Sequence, residues 1–266
     1  METGPHDPAE FDPDLEGFWQ AEREEPPVEL WSAVGDVPPW ATMLLILSWA
    51  LVFSLLAFRG QVGDAAVFIL WGASVTHAPA ADAAWRLLAS TFLHAGPLHV
   101  LLNAASMLIF GPAVERIFTR RGFAVVFALG GALASLASLL WRTSLHHAGL
   151  SLSVGASGAI FALAGALLAA AVRLRRRLAP GRARALGAAV LFLVAQGLAS
   201  GLTQYGTDNT AHGAGLVAGL LLGTLLPLNP RLGGPGPGRG LRALGALAAC
   251  ALVGSLALAL WRGLHG

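Results

Sequence analysis

The sequence has no lysine, a single cysteine (Cys250) and only 12% charged residues in a chain of 266. One thiol excludes a disulfide framework and a zinc site built from thiolates. Soluble domains carry roughly 25% charged residues, so about half of the usual solvating surface is missing. With 55% hydrophobic residues and a mean hydropathy of +0.65, the chain also lacks the polar excess of a disordered protein. Acidic residues are nearly absent beyond the first stretch. All but Asp64, Asp82, Glu115 and Asp208 of the 15 lie between Glu2 and Asp36. What remains is apolar, and it reads as a membrane protein.

A hydrocarbon core of ~30 Å takes about 20 helical residues. Seven runs approach that length: Trp40–Phe58, Leu98–Phe118, Gly122–Trp141, Ser157–Val172, Ala183–Leu202, Ala211–Leu228 and Leu241–Trp261. All 17 basic residues are arginine, which with heavy alanine, glycine and leucine suggests a GC-rich bacterial genome. They cluster after span two, between spans four and five, and between six and seven; only Arg59, Arg86, Arg142 and Arg262 fall on the other side. The positive-inside rule puts the three rich loops in the cytoplasm, with the amino terminus inside and the carboxyl terminus outside. The pI near 9.5 therefore reports topology, and no nucleic-acid partner is expected. The stretch before Trp40 is acidic and proline-rich and does not read as a signal peptide. Residues 1–38, with Trp19 and Trp31, are expected to form a disordered cytoplasmic tail. Residues 39–230 would form a six-helix core, 231–240 a Gly/Pro linker and 241–266 a seventh helix with a short outer tail. The connector from Arg59 to Arg86 is long and holds an apolar patch, Ala65–Trp71, suited to the membrane interface.

Polar residues inside spans are expensive and each needs a reason. His94, His99 and Asn103 stand around the start of span two, Ser157 opens span four and His212 opens span six. Counting back to the inner arginines at ~1.5 Å per residue puts Ser157 ~24 Å, Asn103 ~20 Å and His99 ~26 Å above them; His212 lies ~24 Å from the end of its apolar run. Three helices thus bring a hydroxyl, two imidazoles and an amide to one level, just beneath the outer face. His99 and Asn103, four apart, share a helix face. Ser157 lies where a glycine-flexed loop enters a helix, and a helix amino terminus favours a developing anion. Gly215 and Gly219 on span six match Gly158, Ala162 and Ala166 on span four as small ridges that permit close approach. Each feature has a bland counterpart: an N-cap serine, an interhelical hydrogen bond, or the ordinary glycine content of membrane helices. A metal on His94, His99 and His212 would lack the carboxylate or thiolate that commonly completes such a set, and no metal or cofactor is expected. His146 and His147 read as surface residues.

These residues resemble the rhomboid family of intramembrane serine proteases. Gly155-Ala156-Ser157-Gly158 is similar to the family's GxSG motif, and Ala211-His212 with Gly215 and Gly219 to its AHxxGxxxG pattern. His94, His99 and Asn103 fit HxxxxHxxxN, and Trp85-Arg86 the WR pair that ends the first outer loop. The resemblance spans about Trp40 to Leu228 and implies an all-α polytopic fold, a six-helix bundle with an extra carboxyl-terminal helix. It implies Ser157 as nucleophile and His212 as general base. His99, Asn103 and the Ser157 N–H would make the oxyanion hole, His94 a brace for the outer loop, and Glu115 a support for the inner end of span two. Two positions depart from the family: the GxxxExxxG motif has Gly111 and Glu115 but ends in Thr119, and Phe161 stands where many members carry tyrosine. Thr119 is expected to loosen packing; Phe161 can still stack on His212.

The chemistry agrees with the resemblance. An imidazole titrates near the operating pH and can take a serine proton. No acid other than Asp208 lies near His212, so a Ser–His dyad acting through an acyl-enzyme is predicted. A membrane helix hides its peptide bonds in its own hydrogen bonds, so a substrate must unwind. The expected partners are transmembrane proteins with helix-destabilising segments near the outer face, within the lipid bilayer, and the family implies a small residue before the cut. The segment Thr203–Asn209 and span five are expected to cover Ser157. An inactive client-binding relative would lack the serine or the histidine; a transporter would show paired broken helices and internal repeats, and neither is found. Composition favours a bacterial inner membrane.

Overall fold

A chain with so few charges must satisfy its backbone within its own segments, and it does so almost wholly as helix. The computed structural model describes residues 38–145, 149–179, 181–203 and 207–266. The acidic segment with Trp19 and Trp31, His146 and His147, and the middle of the 203–209 segment lie outside the described residues. Helix α1, Trp40–Phe58, buries one stripe, Thr42, Leu45, Trp49, Val52 and Leu56, at three- and four-residue spacing. Its other faces carry exposed Leu44, Leu47 and Leu51. A helix apolar all round, with one face on protein, has lipid as its remaining solvent. In the connector that follows are α2, Ala65–Trp71, capped by the Asp64 carboxylate, β1, Ser74–Val75, and α3, Ala80–Ala89, which runs into a 3-10 turn at Ser90–Phe92.

The second and third predicted spans are one continuous element, α4, Pro97–Leu145, broken at Thr119. The chain doubles back there, because His99 near its start and Arg142 near its end both meet the segment ahead of Ser157. Helix α5, Ser157–Arg173, is the core of the bundle, with almost every residue from Gly158 to Ala171 buried. Helices α6, Arg182–Thr203, and α7, Asn209–Leu225, flank it, and α8, Arg239–His265, packs on α4 and on the α2–α3 connector. Four helices, α1, α4, α6 and α8, are long and apolar enough to cross a membrane. The 17 residues of α5 and of α7 span only ~26 Å each, a little less than the ~30 Å thickness of a hydrocarbon core. Helices of this length and composition, packed as one bundle, make an all-helical integral membrane architecture.

Boundaries differ from the sequence reading where caps decide them. Helix α7 starts at Asn209, two residues early, because the Asp208 carboxylate caps it, accepting from Ala211 N at 3.0 Å. Helix α8 extends to His265. One feature has no periodic signal: β1 pairs antiparallel with β2, Leu152–Ser153, joining the first connector to the approach to α5.

Thr119 explains the unusual ending of the Gly111–Glu115–Thr119 motif. Its φ of 67° and ψ of 167° fall in a region that only glycine occupies without strain, at a cost of about 1–3 kcal/mol for other residues. Its buried hydroxyl also has no partner among the described residues. What the structure shows here is backbone strain, while the neighbouring Ile117 and Phe118 are fully buried. Thr119→Gly should therefore raise stability by about 1–2 kcal/mol, after allowing for the greater freedom of glycine in the unfolded chain. Thermal unfolding in detergent checks this; a lower midpoint would contradict it.

Candidate active site

At the head of α5, Gly155 has φ +123°, and a Cβ there would lie 2.7 Å from His99 Nε2. Only glycine allows both the turn and that approach. The Gly155 N–H donates to Ser90 O at 2.9 Å. Ala156 is the cap residue, and no side chain caps this helix end, so its first-turn N–H groups have no intrahelical partner. Ser157 is thus the first helical residue rather than the N-cap of the bland reading. It is half-buried, and its hydroxyl makes no hydrogen bond among the described residues.

Helix α7 brings His212 alongside. Its imidazole stacks on Phe161, one turn below Ser157, with centroids 4.3 Å apart and planes 3° off parallel. Phe161 in turn fills the space over Gly197 of α6. The approach is close because glycines remove side chains from the seam. A Cβ on Gly215 would strike the Gly158 carbonyl, one on Gly219 the Ala162 carbonyl, and one on Gly165 the Leu216 carbonyl. His212 Nδ1 is 3.2 Å from Asn209 Oδ1. An amide oxygen only accepts, so the proton is assigned to Nδ1 and the lone pair to Nε2. Nε2 is buried without a hydrogen-bond partner among the described residues, Ser157 included, and so is Asn103 Nδ2. Asn103 and His212 are each about 95% buried. Buried orphan polar atoms are rare and ask for a functional or structural account.

His99 accepts weakly from Ala95 N at Nδ1, 3.5 Å away, which turns Nε2 toward Gly155. Ser157, His212, His99 and Asn103 all line one cavity of about 1150 Å³, with Ser90 and Asp208 on its wall. His94 is fully buried behind it, its ring between Trp49 and His99 at 5.4 and 5.2 Å. Glu115 lies at the opposite end of the bundle, accepting from Ala41 N, Thr42 N, Thr42 Oγ1 and Arg120 Nε, and so fixes the start of α1 against α4. Trp85 and Arg86 lie on α3, where Arg86 donates to Ile69 O and Ala73 O. Among the described residues no three of His, Cys, Asp and Glu gather to hold a metal ion.

Sequence reasoning missed the groups that hold this end together. Asp208 accepts from Ser138 Oγ and, at 3.0 Å, from Ser153 Oγ. Arg142 donates to Ser138 Oγ, Ser151 O and Ser74 Oγ, tying α4, β1 and β2 to the start of α7. Asn209 had a readable signal, three residues ahead of His212 on one helix face; the Ser138–Asp208–Ser153 cluster had none, because its members are far apart in sequence.

Residues 81–229 match the Rhomboid domain family. Over 195 residues the chain is 30% identical to the rhomboid protease GluP of Bacillus subtilis, covering 73% of this chain and 36% of that one. It is 36% identical over 149 residues to RHOMBOID-like protein 1 of Arabidopsis thaliana, covering 56% and 36%. Over 84 residues, 32% of this chain and 40% of the other, it is 37% identical to the putative rhomboid protease YdcA of Bacillus subtilis. The chain thus spans well under two thirds of the length of these relatives.

Proposed function

The chain belongs to the rhomboid family, and on that footing we propose that it is a serine-type intramembrane endopeptidase working through a Ser157–His212 dyad. The observation that carries this reading is a pair of buried orphan nitrogens in one cavity with a serine hydroxyl: an acceptor, His212 Nε2, and a donor, Asn103 Nδ2. An acceptor beside a hydroxyl is what a general base needs, and an unspent donor is what a developing oxyanion needs.

In the proposed reaction Ser157 Oγ attacks the scissile carbonyl carbon as His212 Nε2 takes its proton. Asn209 holds Nδ1–H and Phe161 holds the ring plane, doing the orienting work of a carboxylate. The oxyanion lies against Asn103 Nδ2–H, His99 Nε2–H and the Ser157 N–H at the uncapped start of α5. The imidazolium gives its proton to the leaving amine, and water then cleaves the acyl-enzyme with His212 again as base. Serine–imidazole pairs are often long in the unliganded state and tighten with substrate. His94 braces the loop behind His99.

Substrates under this reading are transmembrane helices with a weak, glycine- or proline-containing segment near the outer face and a small residue before the cut, because the peptide bond must leave its helix to reach Ser157. Helix α6 touches the site through Gly197 and through Leu198 O, which accepts from Asn209 Nδ2. It otherwise exposes most of its surface, which suits a cover that moves aside. The membrane is the bacterial inner membrane, with the arginine-rich end in the cytoplasm.

The test is cleavage of a model transmembrane substrate with such a segment. The native protein should cut it, and Asn103→Ala should lower kcat by about 10²–10³-fold with little change in KM, because the lost bond forms only in the transition state. An inert native protein, or an Asn103→Ala effect confined to KM, would overturn this assignment.

A further inference from the structure

Twelve arginines cluster at one end of the bundle and four, Arg59, Arg86, Arg142 and Arg262, lie at the other. All four of these are committed to internal contacts. Arg59 Nη1 donates to Gly263 O at 3.2 Å, and Arg86 and Arg142 hold the connector and the approach to α5. Arg262, near the end of α8, pairs with Asp82 Oδ1 of α3 at 3.0 Å. The same carboxylate receives Trp85 Nε1 at 3.0 Å and Arg86 Nε at 2.8 Å. The Trp85 ring has the Arg262 and Arg86 guanidinium carbons 4.9 and 5.0 Å from its centroid. One residue on, Gly263 has no side chain because the Trp71 indole of α2 occupies that space.

A helix serving only as an anchor needs none of this. Its outer end would snorkel into water, whereas Arg262 reaches sideways into a carboxylate and an indole. The Trp85 indole N–H, with both guanidiniums, holds the Asp82 carboxyl below the usual carboxylate range, so the cluster stays charged at neutral pH. A single half-exposed ion pair stabilises little; this one matters for what it holds still. Helix α3 continues directly into the turn at Ser90–Phe92, and Ser90 O accepts the Gly155 N–H at 2.9 Å. Gly155 is two residues from Ser157. The connector is joined to the same approach a second time, through β1 and β2.

We propose that α8 is a positioning element for the Gly155–Ser157 turn, with Arg262 acting through Asp82 and α3. The connector already sends Phe68, Trp71 and Phe92 into the core, and the carboxyl-terminal helix clamps its outer part, α3, in the register that the serine requires. The labelling arm of the test rests on Ser157 being the nucleophile; the exchange arm does not.

The experiment compares the full-length native chain with Arg262→Ala, Asp82→Asn and the double variant. It reads amide hydrogen exchange and the rate at which a fluorophosphonate probe labels Ser157. Coupling of ordinary size changes rates by at least about fivefold. Arg262→Ala should speed exchange by that factor across residues 80–92 and at Gly155, slow labelling of Ser157 comparably, and leave the buried α4 amides at Phe123–Phe127 unchanged. In the Asp82→Asn background the Arg262 substitution should add clearly less than it does alone, keeping only the loss of its contact with the Trp85 ring. Unchanged exchange, faster exchange confined to α3, or additive effects in the double variant would each overturn the proposal. A native protein that takes no label would overturn the dyad instead, and exchange at Gly155 would still decide this question.

Discussion

Ser157→Ala should reduce cleavage of a transmembrane substrate by at least ~10⁴-fold and abolish fluorophosphonate labelling, with no loss of thermal stability. The stability half follows from the contacts: the hydroxyl makes no hydrogen bond among the described residues and caps no helix, so its removal breaks nothing and leaves only a small apolar group at a half-exposed position. The activity half follows from the proposed chemistry, in which no other hydroxyl is paired with His212. His212→Ala should match it in kcat, because nucleophile and base act as a unit and their losses do not add. It should also cost stability, since its ring covers Phe161 over a full stacking face. Measuring kcat and the unfolding midpoint for both variants separates the two effects. Residual turnover within tenfold of native in Ser157→Ala would sink the nucleophile assignment.

Gly219→Val should lower stability by about 3 kcal/mol, or roughly 6–12 °C in the unfolding midpoint of a chain this size, and take activity below detection. A Cβ at this position runs into the Ala162 carbonyl. Backbone cannot rotate away as a side-chain tip can, so α5 and α7 must separate. Separation moves His212, seven residues along α7, away from Ser157, and a misplacement of ~1 Å can cost 10²-fold in rate. Gly219→Ala should fall between native and valine. A valine variant with native midpoint and native kcat would show that the helices do not meet along this seam.

The residues that line the cavity were legible because membrane burial is costly for polar groups. His99, Asn103, Ser157 and His212 each stand out against an apolar run, and helical rise alone puts them at one depth. The matching small residues on α5 and α7 were legible for a related reason, since close helix approach in lipid has a compositional signature. Thr119 departs visibly from its motif, but a residue's identity does not report its φ, and the strain is a property of the backbone alone. Asn209 shares a helix face with His212, but spacing alone does not say which ring nitrogen it meets. Its role depends on the orientation of a neighbouring ring.

Taken alone, the sequence determined that the chain enters the membrane, where its spans lie, and which polar side chains need a reason to be there. Each of these is set by local transfer free energy and helical period, quantities that neighbouring residues decide among themselves. Only the tertiary structure decided that α4 turns back through a strained threonine, that two two-residue strands tie the connector to the approach to α5, and that Arg262 closes on Asp82 across 180 positions of chain. Those contacts join residues remote in sequence through directional hydrogen bonds and ion pairs, whose partners are fixed by where the packed helices leave them and carry no periodic trace along the chain.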